Sequence, residues 1–290
     1  MPFTRLPRRL HRSRPLVLAC VLLLAGLTAA LTAWSAAPAR PGSAPAPGSA
    51  SAPGSASAAA ATPSAAHPAR LTVVGLGDSV TAGSACDCAD YVARYAAQVP
   101  ASAGGPARAV NLGVGGLTST QLLADLLGQG PMPLQVATAD VVLVTIGAND
   151  LVPLQDTYAA SGCPAACSSP AVQAVARNLT GIVAQVKALR GGHPTRILVT
   201  DYWNVFEDGD VASADHGPSY LAWSDGLSRQ LNAALCSAAE GAGATCVDLY
   251  APFKGDGARN PTALLAGDGD HPNAAGHGLI AAALLRASRF

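Results

Sequence analysis

A serine hydroxyl is a poor nucleophile near neutral pH until a base takes its proton, so a reactive serine must have a histidine within reach. Ser79 stands in Gly77-Asp78-Ser79, directly after the apolar run 71–76. A tight turn at that point projects a hydroxyl from the top of a sheet, although the same tripeptide also suits a helix cap. Six histidines are available. His11 and His67 fall in the N-terminal 69 residues, His193 and His216 in apparent loops, and His277 inside the last helical pattern. Only His271 has an acid three residues before it, in Gly267-Asp268-Gly269-Asp270-His271-Pro272. In a turn entering a helix, positions i and i+3 face the same way. Asp268 is therefore expected to accept from Nδ1–H and leave Nε2 free for the Ser79 proton. Asp270 is expected to point elsewhere, as a surface or helix-start charge.

Acyl transfer also needs donors aimed at a developing oxyanion. Asn149, in Gly147-Ala148-Asn149-Asp150, offers a side-chain N–H, and Asp150 reads as a structural acceptor. Asn111-Leu112-Gly113-Val114-Gly115-Gly116 offers glycines at which a backbone N–H can come close to a substrate. Turn chemistry alone would account for either block. Glu207-Asp208-Gly209-Asp210 lacks the remainder of a calcium loop and reads as a solvated turn. Tyr202-Trp203 suits a pocket wall or ordinary packing equally.

These groups can meet only if several strand ends converge. Apolar, β-branched runs predict strands over 71–76, 107–112, 140–146, 196–202 and 246–249. Between and after them, helical patterns cover 90–99, 119–127, 171–189, 220–239 and 273–286, the last with Pro272 just ahead of it. Alternation of this kind implies a parallel sheet between helical layers. In such sheets ligands bind beyond the carboxyl ends of the strands, where three of the polar, glycine-rich blocks fall.

In order, G-D-S, N-x-G-x-x-G, G-A-N-D and D-x-x-H resemble the SGNH hydrolase (GDSL esterase/lipase) superfamily over residues 71–290. The one departure in the name motif is Val80, which stands where leucine is usual. The resemblance implies a three-layer α/β/α sandwich with a flavodoxin-like, five-stranded parallel sheet. It assigns Ser79 as nucleophile and Asp268 and His271 as its catalytic partners. The oxyanion hole it implies comprises the N–H groups of Ser79 and Gly116 and the amide of Asn149, with the choice between Gly115 and Gly116 open. It also implies metal-free hydrolysis of carboxylic esters through an acyl-enzyme, with no cofactor. A carbohydrate acetyl esterase of the same fold and a non-catalytic surface binding module are the alternatives.

Composition sets the surroundings. Five arginines precede the uncharged run 16–34, and small residues follow, so 1–36 reads as a signal peptide or, if uncleaved, a membrane anchor. Residues 37–69 are nearly all Ala, Pro, Ser and Gly and read as a disordered linker, leaving 70–290 as the folded domain. From residue 70 onward 12 basic residues face 18 acidic ones, which argues against nucleic acid as a partner. The expected partners are small-molecule, lipid or polysaccharide esters, met outside the cell by a monomer. Beyond Cys20, which lies in the uncharged run, Cys86, Cys88, Cys163, Cys167, Cys236 and Cys246 form an even set in an exported chain and predict three disulfides. Cys236–Cys246 is the simplest pair. The other four either brace the two active-site loops against each other or pair locally. A four-cysteine zinc site is the less favoured alternative.

Overall fold

Val141–Thr145 is buried at every residue, and Val73–Gly77 beside it is equally enclosed, as expected of central strands covered on both faces. These two segments lie at the centre of a computed structural model that describes residues 70–290. The expected signal peptide or membrane anchor, 1–36, and the expected linker, 37–69, lie outside the described residues. In chain order the elements are β1 (Thr72–Gly77), α1 (Ser79–Ala82), α2 (Tyr91–Ala97), β2 (Arg108–Gly113), α3 (Ser119–Leu127) and α4 (Pro131–Val136). They continue with β3 (Val141–Thr145), α5 (Pro153–Ser161), α6 (Ala165–Arg190), β4 (Arg196–Thr200) and α7 (Gly209–Asp215). The chain closes with α8 (Pro218–Gly241), β5 (Thr245–Val247), α9 (Tyr250–Lys254) and α10 (Ala274–Ser288).

All strand pairs are parallel, in the order β2-β1-β3-β4-β5, with Val73 level with Ala109 on one side and Val141 on the other. Helices α2 and α10 pack together on one face, and α3, α6 and α8 on the other. The expected three-layer, five-stranded sandwich is therefore the observed one. After β1 the chain runs outward to β2 and then returns to β3, so neighbouring connections diverge at the carboxyl ends of β1 and β3. That divergence opens a crevice at the position where ligands bind in sheets of this order.

The differences from the sequence reading have local causes. Helix α5 buries none of its residues and so carries no apolar stripe for periodicity to detect. Helix α6 begins six residues before the expected Ala171 and runs through Pro170, with the Cys163–Cys167 bridge across its first turn. Cys236 at the end of α8 pairs with Cys246 in β5, as expected. Cys86 pairs with Cys88, so the remaining four cysteines pair locally and do not join the loop after Ser79 to the loop after Asn149. Asp208 is not part of a solvated turn. It is buried and meets Lys254 Nζ at 2.6 Å, while Asp225 Oδ1 lies 3.0 Å from the same ammonium. Among the described residues no helix is long and apolar enough to cross a membrane.

Candidate active site

The end of β1 is shaped by Gly77, whose φ of 146° belongs to the region that favours glycine and where a Cβ would overlap the Thr145 carbonyl. The chain then turns under Asp78, whose N–H donates to Thr145 O at 3.1 Å and whose Oδ1 accepts from Val80 N at 3.0 Å. Asp78 thereby caps the single-turn helix α1 and sets Ser79 as its first residue. Ser79 is half-buried. Neither its N–H nor its Oγ has a hydrogen-bond partner among the described residues.

Two contacts hold α1 from beneath. Asn111 Nδ2 donates to Thr81 O at 2.7 Å. A chain of buried hydroxyls links Thr81 Oγ1 to Tyr91 OH (2.9 Å), Tyr91 OH to Thr145 Oγ1 (3.0 Å) and Thr145 Oγ1 to Thr200 Oγ1 (2.8 Å). The Ser79 turn is thus fastened to the ends of β3 and β4. Asp78 Oδ2 also accepts from Tyr202 OH at 2.5 Å. Burial pushes Asp78 up to about 7, against the opposing pull of the Tyr202 and Val80 hydrogen bonds. Burial and the Asp78 charge keep the Tyr202 phenol protonated as a donor. Tyr202 is therefore both pocket wall and support.

The loop after β3 is fixed through Asp150, which accepts from Ser119 N at 2.8 Å and Ser119 Oγ at 2.6 Å, the structural role expected of it. Asn149 Nδ2 donates to Leu117 O at 3.0 Å, which leaves its second amide hydrogen uncommitted. Leu117 N in turn donates to Val114 O at 3.1 Å, closing a turn in which Gly116 has a φ of 78°. A positive φ at the third position, and not at Gly115, is the type II geometry. The Gly116 N–H has no partner among the described residues.

His271 enters from the start of α10. Its carbonyl accepts from Ala266 N at 2.7 Å, and Asn273 caps the helix with bonds from Ala275 N and Gly276 N. His271 Nδ1 lies 2.7 Å from Asp268 Oδ2, while Asp268 Oδ1 accepts from the backbone N–H groups of His271 and Asp270, each at 3.1 Å. Partial burial alone would raise Asp268. The hydrogen bonds from His271 and from these two N–H groups outweigh it and hold the carboxyl below the ordinary range. Asp270 Oδ2 is 3.8 Å from the same Nδ1. The surrounding protein pushes Asp270 up to about 6, although solvent still reaches 41% of its side chain.

A cavity of about 120 Å³ opens at the crevice, lined among others by Ser79, Asn149, Tyr202, Trp203, Glu207 and Asp270. Ser79 and Asn149 thus share one cavity with Asp270, whose chain neighbour is His271. Gly116 lies on the adjacent turn, outside that lining. Asp270 does not point away as expected, because residues 268–271 form one tight turn whose acids both face Nδ1. Two groups escaped the sequence reading. Glu207 lines the cavity and meets His216 Nε2 at 3.0 Å, a pair that forms only because α7 lies between them. The hydroxyls of Thr81, Tyr91, Thr145 and Thr200 meet only in the folded sheet, so no local pattern announces them.

The arrangement can supply a hydroxyl nucleophile at a helix start, an imidazole oriented by a carboxylate, and uncommitted N–H donors. The sequence profile of the GDSL-like lipase/acylhydrolase family matches residues 76–279. Among solved structures, the chain is similar to the lipase Lip_vut3 from a goat rumen metagenome, at 21% identity and a TM-score of 0.63 over 75% of this chain and 97% of that one. It is also similar to a mutant of Axe2, an acetyl-xylooligosaccharide esterase from Geobacillus, at 22% identity and a TM-score of 0.54 over 76% and 94%. At these identities the likeness concerns the fold. No curated protein matches the chain.

Proposed function

Since the chain belongs to the GDSL-like lipase/acylhydrolase family, we propose that it is an exported serine hydrolase of carboxylic esters acting through an acyl-enzyme on Ser79. In this reading His271 Nε2 takes the Ser79 proton as Oγ attacks the ester carbonyl, then returns it to the leaving alcohol. Water repeats the sequence to release the acid. Asp268 orients the imidazole and stabilises its charged form. The N–H groups of Ser79 and Gly116 and the amide of Asn149 receive the oxyanion. The observation that carries the reading is the 2.7 Å bond between His271 Nδ1 and Asp268 Oδ2, one residue from the Asp270 that lines the Ser79 cavity. It leaves Nε2 as the ring nitrogen available to a proton.

The cavity favours short acyl groups. At about 120 Å³ it is well below the roughly 300–1,000 Å³ of pockets that enclose larger ligands. Acetyl and similarly short esters, on small alcohols or on carbohydrate, are the proposed substrates ahead of long-chain lipids. Three disulfides suit an oxidising compartment, in keeping with export. The test is labelling by a fluorophosphonate together with rates on p-nitrophenyl esters of increasing chain length. Ser79→Ala should fold, lose the label and lose nearly all turnover. A label that persists in that variant would place the nucleophile elsewhere, and rates that climb toward long acyl chains would overturn the short-acyl assignment.

A further inference from the structure

On the face opposite α6 and α8, His277 of α10 is completely buried, and neither of its ring nitrogens has a hydrogen-bond partner. A buried imidazole with both nitrogens unpaired is costly, and such a group calls for an explanation. Close to it stand Cys86 and Cys88, in the loop between α1 and α2. One nitrogen of His277 and the two sulfurs all lie within 4.8 Å of one another. The Tyr91 ring stacks on the imidazole at 6.2 Å between centroids, and Tyr91 is itself held by Thr81 and Thr145. The ring is therefore presented to the sulfurs from a fixed position. Ala85, immediately before Cys86, has a φ of 57°, a left-handed conformation costly for a residue with a Cβ. The Cys86–Cys88 bridge spans only Asp87, so it restricts the unfolded chain very little and stabilises the fold correspondingly little.

We propose that Cys86, Cys88 and His277 form a redox-gated site for a soft metal cation, closed while the disulfide is intact and competent for Zn²⁺ once it is reduced. A dithiol reductant delivers two electrons and two protons to the bridge, yielding two thiols and the reductant's own disulfide. Zn²⁺ then displaces both thiol protons to solvent and accepts lone pairs from two thiolates and one nitrogen of neutral His277. Solvent fills the fourth tetrahedral position. Two thiolates and an imidazole select Zn²⁺ over oxygen-seeking cations such as Mg²⁺ or Ca²⁺. Cys86 and Cys88 are both half-buried residues flanking the exposed Asp87, which gives the ion a way in.

The full chain is reduced with a dithiol, freed of it without air, and dialysed against Zn²⁺, with bound metal measured by elemental analysis. Reduced protein should hold one zinc that oxidised protein lacks. Cys86→Ser with Cys88→Ser should abolish it, Cys163→Ser with Cys167→Ser should retain it, and His277→Gln should weaken it at least about tenfold. X-ray absorption on zinc-loaded wild type should find two sulfurs at about 2.3 Å and one imidazole nitrogen at about 2.0 Å. This last measurement stands even if the His277 variant does not fold. Zinc uptake by the reduced wild type no greater than that of the Cys86/Cys88 double variant would overturn the proposal, as would a zinc shell without an imidazole.

Discussion

Replacing Asp268 by asparagine changes one atom of the proposed relay and almost nothing else. Asp268 Oδ1 already accepts from two backbone N–H groups at 3.1 Å, so the carboxamide oxygen will take that place. The amide nitrogen then sits where Oδ2 now lies, 2.7 Å from His271 Nδ1, and donates to it. The ring proton is driven to Nε2, the nitrogen that must accept from Ser79. A second loss adds to this one. The carboxylate no longer stabilises the imidazolium, an interaction of about 1 kcal/mol in water and about 4 kcal/mol at the effective dielectric of a protein surface for charges some 4 Å apart. With His271 19% and Asp268 39% exposed, this site lies between those limits. The charge alone then accounts for roughly 5- to 10³-fold in rate, and the misplaced proton brings the total to about 10³–10⁴. Steady-state hydrolysis of p-nitrophenyl acetate should show that loss in kcat with KM little changed, while Tm stays within a few degrees because the turn keeps its acceptor. An Asp268→Asn enzyme within about threefold of wild type would refute the argument.

Further predictions follow from other contacts. Asn149→Ala removes one candidate oxyanion donor and should lower kcat by about 10²–10³ with a small change in KM, measured by the same assay. Lys254→Met leaves Asp208, only 3% exposed, without its counter-charge. Thermal unfolding should record a loss of about 3–5 kcal/mol, with Tm falling on the order of 10 °C. Asp201 is pushed up to about 7, chiefly by burial, while its Oδ1 accepts from Leu249 N and Tyr250 N. Because its folded value lies above the ordinary 3.8, the native state holds a proton that the unfolded chain has released between these two pH values. Asp201 therefore destabilises the fold progressively as pH rises from about 4 to about 7. Asp201→Asn keeps the acceptor and should narrow the Tm difference between pH 5 and pH 8. An unchanged difference would mean that Asp201 does not titrate there.

The strand runs 71–76 and 140–146 announced themselves because central parallel strands must be apolar on both faces. The alternation with amphipathic stretches such as 171–189 then required a layered parallel sheet. Gly77-Asp78-Ser79 and Asp268-x-x-His271 were legible for a related reason. A turn that breaks off a strand, or a pair three residues apart, is decided by local backbone geometry that the chain carries in its own spacing. What remained hidden was set by encounters between distant segments. Tyr202 finds Asp78 across 124 positions and Lys254 finds Asp208 across 46. Cysteine pairing was open for the same reason, since four thiols near two loops admit several partners until the loops have positions. The unpaired nitrogens of His277 were likewise invisible, because the burial that makes them costly exists only once α10 has packed against α2. Local order follows from residue type and spacing. Long-range partnership and desolvation are properties of the packed interior, where distance in the chain no longer counts.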